Sequence, residues 1–339
     1  MKGKVKKNIS EFAVGLYTSS WVMISASELL SEKGFAENQT REQEVVNESH
    51  IYVITKMPSF SFVENSLNYE KGILSVQVRY KVKGIEKRFL YEGEFPLLDG
   101  ATDIKLKDYP YRELSIYNED TGEEIGYFPA SQIGFVFGRE KEISEITNLE
   151  VLYVGQAFGD GSRNTFDRLK NHSTLQKILS NVSYNYPDDE VYLMSFIYEP
   201  YQILTMMDGR TKAENPPEND GKRFYSIIDN PLSEHAQICL AEAGLIRYFQ
   251  PKFNKIYKEK FPSREYKILK ECYELDFSGL IVEINTDELD MSLFSEYINP
   301  SEHHIAQVDL LKDEDRYSFF YCTLGDQIRT ISEEKNIIK

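Results

Sequence analysis

The stretch from Val151 to Leu179 constrains this chain more than any other. It reads VLYVGQAFGDGSRNTFDRLKNHSTLQKIL, in which a short β-rich run is followed by a glycine-rich loop and a helical segment. Arg168 and His172 are four residues apart, so on a helix they project from one face, one turn apart. A guanidinium offers two parallel donors to a phosphate, and an imidazole can donate or transfer a proton near neutral pH. The pair suits a phosphate ligand, although a solvated helix face is the plainer interpretation of the same spacing.

Glu242 has an unusual position on a later predicted helix. The segment from Pro231 to Phe249, PLSEHAQICLAEAGLIRYF, has helical periodicity, and its apolar residues surround Glu242 at spacings of three or four. These residues are Ile238, Cys239, Leu245, Ile246 and Phe249. Burial of an unpaired carboxylate is costly, so either a cation such as Arg247 or a metal ion is expected beside it.

Hydrolysis of a phosphodiester needs positive charge on the phosphate oxygens, a base that activates water, and a group that holds a divalent metal. Arg168, His172 and Glu242 supply these functions if the fold brings them together. The residues therefore predict a metal-dependent site that cleaves phosphodiesters.

Four short motifs follow one another in a recognisable order. They are Tyr153-Val154-Gly155, Arg168-x-x-x-His172, Glu242-x-x-x-Ile246 and Pro251-x-x-Asn254. In this order and in local sequence, residues 131 to 256 resemble the GIY-YIG nuclease superfamily. The resemblance implies an α+β fold, with a core of a three-stranded antiparallel sheet flanked by helices. It also implies one Mg²⁺ (or Mn²⁺) held by the glutamate.

The resemblance implies a role for each matching residue. Tyr153 would activate or position the attacking water, Arg168 would contact the scissile phosphate, and His172 would assist as donor or base. Glu242 would be the metal ligand and the fourth catalytic residue. The expected substrate-binding residues are Gly155, which would permit close backbone approach, Asn254, which would order the site or bind substrate, and the cations Arg163, Lys252 and Lys255.

The sequence departs from the superfamily at the first tyrosine. The best match to the first triplet is Gly134-Phe135-Val136, on a strand expected just before Tyr153, and it has no hydroxyl at Val136. Gly15-Leu16-Tyr17 also reads like this triplet, but it lies more than a hundred residues upstream and is interpreted as coincidence. A tyrosine with a pKa near 10 is a poor base at neutral pH, so Tyr153 needs a nearby cation, and His172 is the alternative base.

The overall charge opposes nucleic-acid binding, but its distribution does not. The chain has 39 basic and 55 acidic residues, a net charge of −16. A basic band nevertheless follows the glutamate helix, with eight Lys and Arg against two Glu between residues 244 and 270. The band is read either as a groove that follows phosphates or as an ordinary solvated face.

The 339 residues exceed the usual size of one domain. Three parts are expected: residues 1–130, a helix over residues 20–34 and a β-rich module for target recognition or partner docking; residues 131–272, the nuclease core; and residues 273–339, an α+β appendage. A polar loop is expected up to Asn47, and antiparallel β-structure from Ile51 to Pro129, with hairpins turning at Lys83-Gly84 and at Asp120-Thr121-Gly122. A polar loop is also expected over residues 208–224.

Three scattered cysteines and the lack of an 18-residue apolar run favour a cytoplasmic protein without a membrane partner. We expect a magnesium-dependent endonuclease that acts on double-stranded DNA, in restriction, anti-phage defence or repair. A catalytically degenerate module that binds nucleic acid or protein is the alternative. The acidity also fits a protein activator or partner.

Overall fold

The computed structural model describes residues 5–30, 40–156, 173–207, 212–258, 267–311, 316–324, 327–330 and 337–338. In chain order its strands are β1 (Ser10–Leu16), β2 (Thr18–Ser25), β3 (Ile51–Pro58), β4 (Phe60–Phe62), β5 (Asn68–Glu70), β6 (Ile73–Val82), β7 (Ile85–Glu94), β8 (Asp103–Leu106), β9 (Glu113–Tyr117), β10 (Glu124–Pro129), β11 (Asn148–Gln156), β12 (Asp189–Tyr198), β13 (Gln202–Met207), β14 (Gly279–Asn285), β15 (Ser292–Phe294), β16 (His303–Asp309), β17 (Tyr321–Leu324), β18 (Gln327–Thr330) and β19 (Ile337–Ile338). Its helices are α1 (Ala26–Leu30), α2 (Thr40–Glu48), α3 (Ala130–Glu140), α4 (Ser144–Thr147), α5 (Ser173–Asn185), α6 (Pro217–Asp229), α7 (Glu234–Phe249) and α8 (Lys267–Glu274).

The fold is mixed α+β with several sheets. One five-stranded sheet, here called the site sheet, has the order β15-β11-β3-β12-β2. All its pairs are antiparallel except β15 with β11. A second five-stranded sheet has the order β13-β1-β14-β16-β19.

Helix α7 packs between the two five-stranded sheets. It contacts β11 and β3 on one side and β14 and β16 on the other. Gly244 permits the close approach to the second sheet, since a Cβ there would lie 2.8 Å from Cγ2 of Val282. The helix begins at Ser233, whose hydroxyl accepts a hydrogen bond from the Ala236 N–H, and ends at Gln250 in the left-handed conformation. Most of its side chains are buried, as expected for a helix that is apolar nearly all round.

Both predicted hairpins are confirmed. Strands β6 and β7 pair along their full length around Lys83-Gly84, and β9 pairs with β10 around the turn that contains Gly122. Positive φ angles at Lys83 (52°), Gly84 (80°) and Gly122 (70°) explain why these turn residues were informative. Strand β3, which was expected in the same module, instead lies in the site sheet between β11 and β12.

Three predicted elements are wrong. Residues 18–25 form strand β2, and of the described part of the expected helix Ala26–Leu30 is helical, because the aromatic and β-branched residues Trp21, Val22 and Ile24 favour the strand that pairs with β12. The expected loop up to Asn47 includes helix α2. The expected loop over residues 208–224 includes the start of helix α6, where Pro217 occupies the first turn.

The expected strand at Gly134-Phe135-Val136 is also wrong, because these residues lie in helix α3. An apolar run of this length does not distinguish a strand from a buried helix by periodicity alone. Helix α3 lies very close to strand β4 at Gly134, since a Cβ there would be 2.5 Å from the Phe60 ring. Val136 therefore does not neighbour Tyr153 on a strand, and the position expected to lack a hydroxyl is not part of the site sheet.

Strand pairing crosses the boundaries predicted near residues 130 and 272. Strands β2 and β3 join β11 and β12 in the site sheet, β1 pairs with β13 and β14, and β15 pairs with β11. Within the described ranges, no helix combines the length and apolar character needed to cross a bilayer.

Candidate functional site

Tyr153 lies beside a second tyrosine that the sequence analysis missed. Strands β3 and β11 are antiparallel, and their register places Tyr153 opposite Ile54 and Gly155 opposite Tyr52. The rings of Tyr52 and Tyr153 stack with centroids 5.9 Å apart and an interplanar angle of 30°. Tyr52 also donates a hydrogen bond to Tyr153, an interaction that lowers the Tyr153 pKa.

Gly155 makes room for this second ring. A Cβ at Gly155 would lie 2.5 Å from both Cζ and the hydroxyl oxygen of Tyr52, and 2.8 Å from Cε1 of Tyr153. No side chain fits at such distances unless the rings move. The glycine thus permits the close approach of a phenol from the neighbouring strand, where the sequence predicted close approach of a substrate.

Glu242 reaches the same region from helix α7. The backbone N–H of Gln156, at the end of β11, donates to its carboxylate. Burial nevertheless raises the pKa of Glu242 to about 7. No salt bridge between described residues includes Glu242, and Arg247 donates instead to the backbone carbonyl of Lys258. The sequence predicted either a cation such as Arg247 or a metal ion beside this carboxylate, and Arg247 instead bonds to the backbone of Lys258.

The tyrosine pair and the carboxylate are electrostatically coupled. Burial raises the pKa of Tyr153 above its ordinary value of 10.0, the hydrogen bond from Tyr52 lowers it, and the charge of Glu242 raises it. Burial dominates, so Tyr153 is a neutral phenol at pH 7. A cation between the phenol and the carboxylate would lower both pKa values together.

Cys239 lies near Glu242 and bonds to the side chain of Gln156. The Cys239 thiol lies 3.4 Å from Oε1 of Gln156, to which it donates. Burial, followed by the charge of Glu242, raises the pKa of the Cys239 thiol to about 11. The sulfur is therefore a protonated donor and not a thiolate nucleophile.

Asn254 is buried and orders strand β11. Its Oδ1 accepts from the Val154 N–H at 2.9 Å, and its Nδ2 donates to the Val154 carbonyl at 2.8 Å. Phe253 adds a third bond, from its N–H to the Leu152 carbonyl at 3.0 Å. Asn254 was expected either to order the site or to bind substrate. Because both ends of its amide bond to the strand that carries Tyr153, the geometry corresponds to the ordering role.

The described cations lie along one edge of this region. Lys252 and Lys255 are exposed, and the Lys252 ammonium lies 5.6 Å from the ring centroid of Tyr186. Arg163, Arg168 and His172 lie outside the described residues. The predicted phosphate contact of Arg168 and the assisting role of His172 therefore stay predictions.

The donor set around Glu242 fits a cation that keeps most of its water. No group of three or more His, Cys, Asp and Glu side chains that could enclose a metal occurs in the described part of the chain. Magnesium is commonly held by only one or two carboxylates and retains several waters. A half-buried carboxylate without a cationic side-chain partner among the described residues is compatible with such an ion.

The signal that could have identified Tyr52 is present in the sequence. Ile51-Tyr52-Val53 repeats the pattern of Leu152-Tyr153-Val154, a tyrosine between two aliphatic residues. The two runs are separated by strands β4 to β10 and helices α3 and α4. Gly15-Leu16-Tyr17, the other distant match, begins in β1 of the second sheet.

Comparison of the chain with protein-family models, with curated proteins and with solved structures found no match.

Proposed function

We propose that this protein is a metal-dependent endonuclease with a core like that of the GIY-YIG superfamily, and that it hydrolyses phosphodiester bonds in double-stranded DNA. The observation that supports this proposal is the meeting of Tyr52, Tyr153 and Glu242 at the end of β11. The resemblance requires two tyrosines and one glutamate, and only one tyrosine was recognised in the sequence. Tyr52 supplies the second from the neighbouring strand.

The direction of the hydrogen bond assigns roles to the two phenols. Tyr52 donates, which stabilises negative charge on the Tyr153 oxygen. Tyr153 would therefore be the phenol that acts as the base: a divalent ion bound nearby would lower its pKa so that it releases its own proton to solvent, and the phenolate would then accept a proton from the attacking water while Tyr52 holds it in position. This assignment favours Tyr153 over His172 as the base.

Glu242 would hold Mg²⁺ or Mn²⁺ at the edge of the tyrosine pair. A bound divalent ion supplies positive charge for the phosphate oxygens and lowers the pKa of its water. The hydrogen bond from the Gln156 N–H would hold this half-buried carboxylate at the end of β11. Arg168 would contact the scissile phosphate, with Lys252 and Lys255 on the flanking phosphates.

Cleavage of supercoiled plasmid DNA with magnesium tests the proposal. Glu242→Gln and Tyr153→Phe should each reduce the rate by about 10² or more, as is typical when a metal ligand or a general base is lost. Glu234→Gln is the matched control, because Glu234 lies on the same helix with a 68% exposed side chain. The control should cut as the intact protein does, and EDTA should stop cutting.

A catalytically degenerate binding module is the competing function, and the net charge of −16 favours it over a nuclease that binds DNA unaided. The intact protein is tested with magnesium or manganese, and with cell extract as a source of an activator. If it binds DNA under these conditions but never cuts it, the result supports the binding module and contradicts the nuclease. For an active nuclease, the scattered cysteines suggest a cytoplasmic setting, in restriction, anti-phage defence or repair.

A further inference from the structure

The β6–β7 hairpin has two very different faces. All ten residues of β6 pair with β7, and the turn at Lys83 and Gly84 has positive φ at both positions. The inner face is packed against helix α3, where the rings of Phe89 and Phe137 stack 3.7 Å apart and nearly parallel. The opposite face of the hairpin alternates with it and is open to solvent.

This open surface, here called the outer hairpin face, is basic toward the turn. Its strand residues are Ile73, Ser75, Gln77, Arg79, Lys81, Glu86, Arg88, Leu90, Glu92 and Glu94, and Lys83 lies in the turn beside them. The part nearer the turn, from Gln77 to Leu90, has four basic residues and one acidic residue on this surface, whereas Glu92 and Glu94 lie at its far end. Positive charge is therefore concentrated at the turn end of this face, in a chain whose net charge is −16.

Two arginines of this face stand directly opposite each other. Arg79 on β6 pairs in register with Arg88 on β7. Like charges in directly opposed cross-strand positions destabilise a sheet. Glu86 neutralises Arg88, with 2.6 Å between the guanidinium and the carboxylate.

Arg79 interacts with the same Glu86 through its charge, but at longer range than Arg88 does. The Nε of Arg79 donates to the Ser61 hydroxyl at 2.9 Å, and none of the salt bridges between described residues includes Arg79. Paired guanidinium groups with one carboxylate between them are a suitable receptor for a phosphate, which accepts two parallel hydrogen bonds. The energetic conflict within the hairpin is relieved when such an anion binds.

The hairpin turn is connected to the tyrosine site through the segment before β12 and through strand β3. The Gly84 N–H donates to Oδ2 of Asp188 at 2.7 Å. Asp188 follows Tyr186 by two residues. The Tyr186 ring lies 4.2 Å from the Lys56 ammonium. Lys56 is four residues along β3 from Tyr52, ~13 Å at the usual strand rise. A duplex of about ten base pairs, ~34 Å long, is long enough to reach from the tyrosine pair to the outer hairpin face.

We propose that the outer hairpin face is a second nucleic-acid contact, which binds the phosphate backbone of a duplex whose scissile phosphate lies at Tyr153. This inference rests on the proposed nuclease function and names the part of the chain that holds the substrate away from the cut. The contact is made through Arg79 and Arg88 to phosphates and not to base edges, so it contributes affinity without sequence preference.

The double variant Arg79→Thr/Arg88→Thr tests the proposal in the full chain. Threonine keeps the preference for β-structure, and removal of the like-charged pair leaves the hairpin folded. Lys105→Thr/Lys141→Thr is the control, since it removes equal charge from two exposed lysines on other elements. Affinity for a short labelled DNA duplex is measured across a salt series, beside hydrolysis of bis(p-nitrophenyl) phosphate, a small substrate that cannot reach the hairpin.

The arginine variant should bind the duplex about tenfold or more weakly, with a salt slope lower by about 2, as expected for two lost phosphate contacts. Hydrolysis of the small substrate should be unchanged, and the control should bind as the intact protein does. The inference is overturned if the arginine variant binds the duplex as tightly as the intact protein does, or if variant and control lose affinity equally. It is also overturned if the protein binds polyglutamate in place of the duplex.

The two proposals fail separately. Hairpin-dependent duplex binding without hydrolysis of plasmid or small substrate would sustain this inference and end the nuclease proposal. If both substrates are hydrolysed but duplex affinity is the same with and without the two arginines, the nuclease proposal stands and this inference fails.

Discussion

The two phenols of the candidate site are chemically unequal although they are stacked side by side. Tyr52 lies in the middle of the site sheet and is 5% exposed, whereas Tyr153 is half-buried. The hydroxyl of Tyr52 is directed at Tyr153, so the more accessible phenol receives the hydrogen bond. An accessible oxygen with a donor behind it can exchange a proton with water and remain positioned.

Gly155 offers the sharpest test of this arrangement at the scale of a residue. Gly155→Ala places a methyl group 2.5 Å from Tyr52, so the ring must move. We expect a loss of ~1–3 kcal/mol in the free energy of unfolding, as for other overpacked cores, measured by urea denaturation. Displacement of a catalytic group by an ångström can reduce the rate by about 10², so cleavage should fall by a similar factor.

Two comparison variants separate these effects. Gly221→Ala changes a glycine of helix α6 that has open space around it, and should stabilise the protein by ~0.5–1 kcal/mol through helix propensity. Adding Tyr52→Leu to Gly155→Ala should recover stability but not cleavage, because the smaller side chain relieves the clash and lacks the hydroxyl. Full activity in Gly155→Ala would contradict the stacked arrangement.

At the scale of elements, the segment after helix α7 fastens strand β11. Helix α7 ends at Gln250, and the following Asn254 reaches across 100 residues of sequence to bond both backbone groups of Val154. The strand between Tyr153 and Gly155 is thus held by one side chain from the segment that directly follows the helix of Glu242. The positions of the phenol and the carboxylate are mechanically linked.

Asn254→Ala should therefore affect both stability and activity. The change leaves the buried N–H and carbonyl of Val154 without their partners, which costs ~1–3 kcal/mol in the free energy of unfolding. Cleavage should also fall, since Tyr153 lies next to the released backbone. Asn254→Asp should be at least as destabilising, because a carboxylate oxygen would then face the Val154 carbonyl.

Asn185→Ala is the control for this prediction. Asn185 is an exposed amide at the end of α5, and its loss should change stability by no more than ~0.5 kcal/mol. Urea denaturation and plasmid cleavage measure both variants. An Asn254→Ala protein that is destabilised but cuts normally would show that the bond supports only the fold.

Elements with local signals could be predicted from the sequence, and the pairing between distant strands could not. The turn at Lys83-Gly84 and the alternation on either side of it specify a hairpin within about twenty residues. The helix that carries Glu242 likewise has its periodicity and its cap within one segment. Strands β3 and β11 have no local signal for each other, because an inserted β-rich region separates them.

The same insertion explains the missed tyrosine. A short connection was expected before Tyr153, so the apolar run around Phe135 was assigned to the partner strand and Val136 to the tyrosine position. The Tyr17 triplet was then set aside because of its distance along the chain, and the same argument excluded Tyr52, which is also about a hundred residues before Tyr153. Loop-length statistics fail where a hairpin contains a whole inserted module.

At the scale of the whole molecule, the burial of Glu242 follows from the position of helix α7 between two sheets. A helix packed on both sides has little solvated surface, so a carboxylate in its middle is partly desolvated. The carboxylate is retained at a cost to folding, which is common at functional sites. The free energy of unfolding should therefore depend on the protonation state of Glu242.

The pH dependence of unfolding gives the test. Burial raises the pKa of Glu242 from 4.5 to about 7, so between these values the folded chain binds a proton that the unfolded chain has released. Stability must then fall as pH rises through this window, by about 3 kcal/mol in total, and level off above pH ~7. The free energy of unfolding in EDTA should show this loss in the intact protein, whereas Glu242→Gln should lack it.

Magnesium distinguishes a destabilising carboxylate from a ligand. If the ion binds Glu242 only in the folded chain, it stabilises the ionised form and should restore stability above pH ~7 in a concentration-dependent way. The same addition should leave Glu242→Gln unchanged, since the ligand is gone. Parallel pH profiles for the two proteins in EDTA would mean that Glu242 is solvated in the folded chain, and a magnesium response that persists in the variant would place the ion elsewhere.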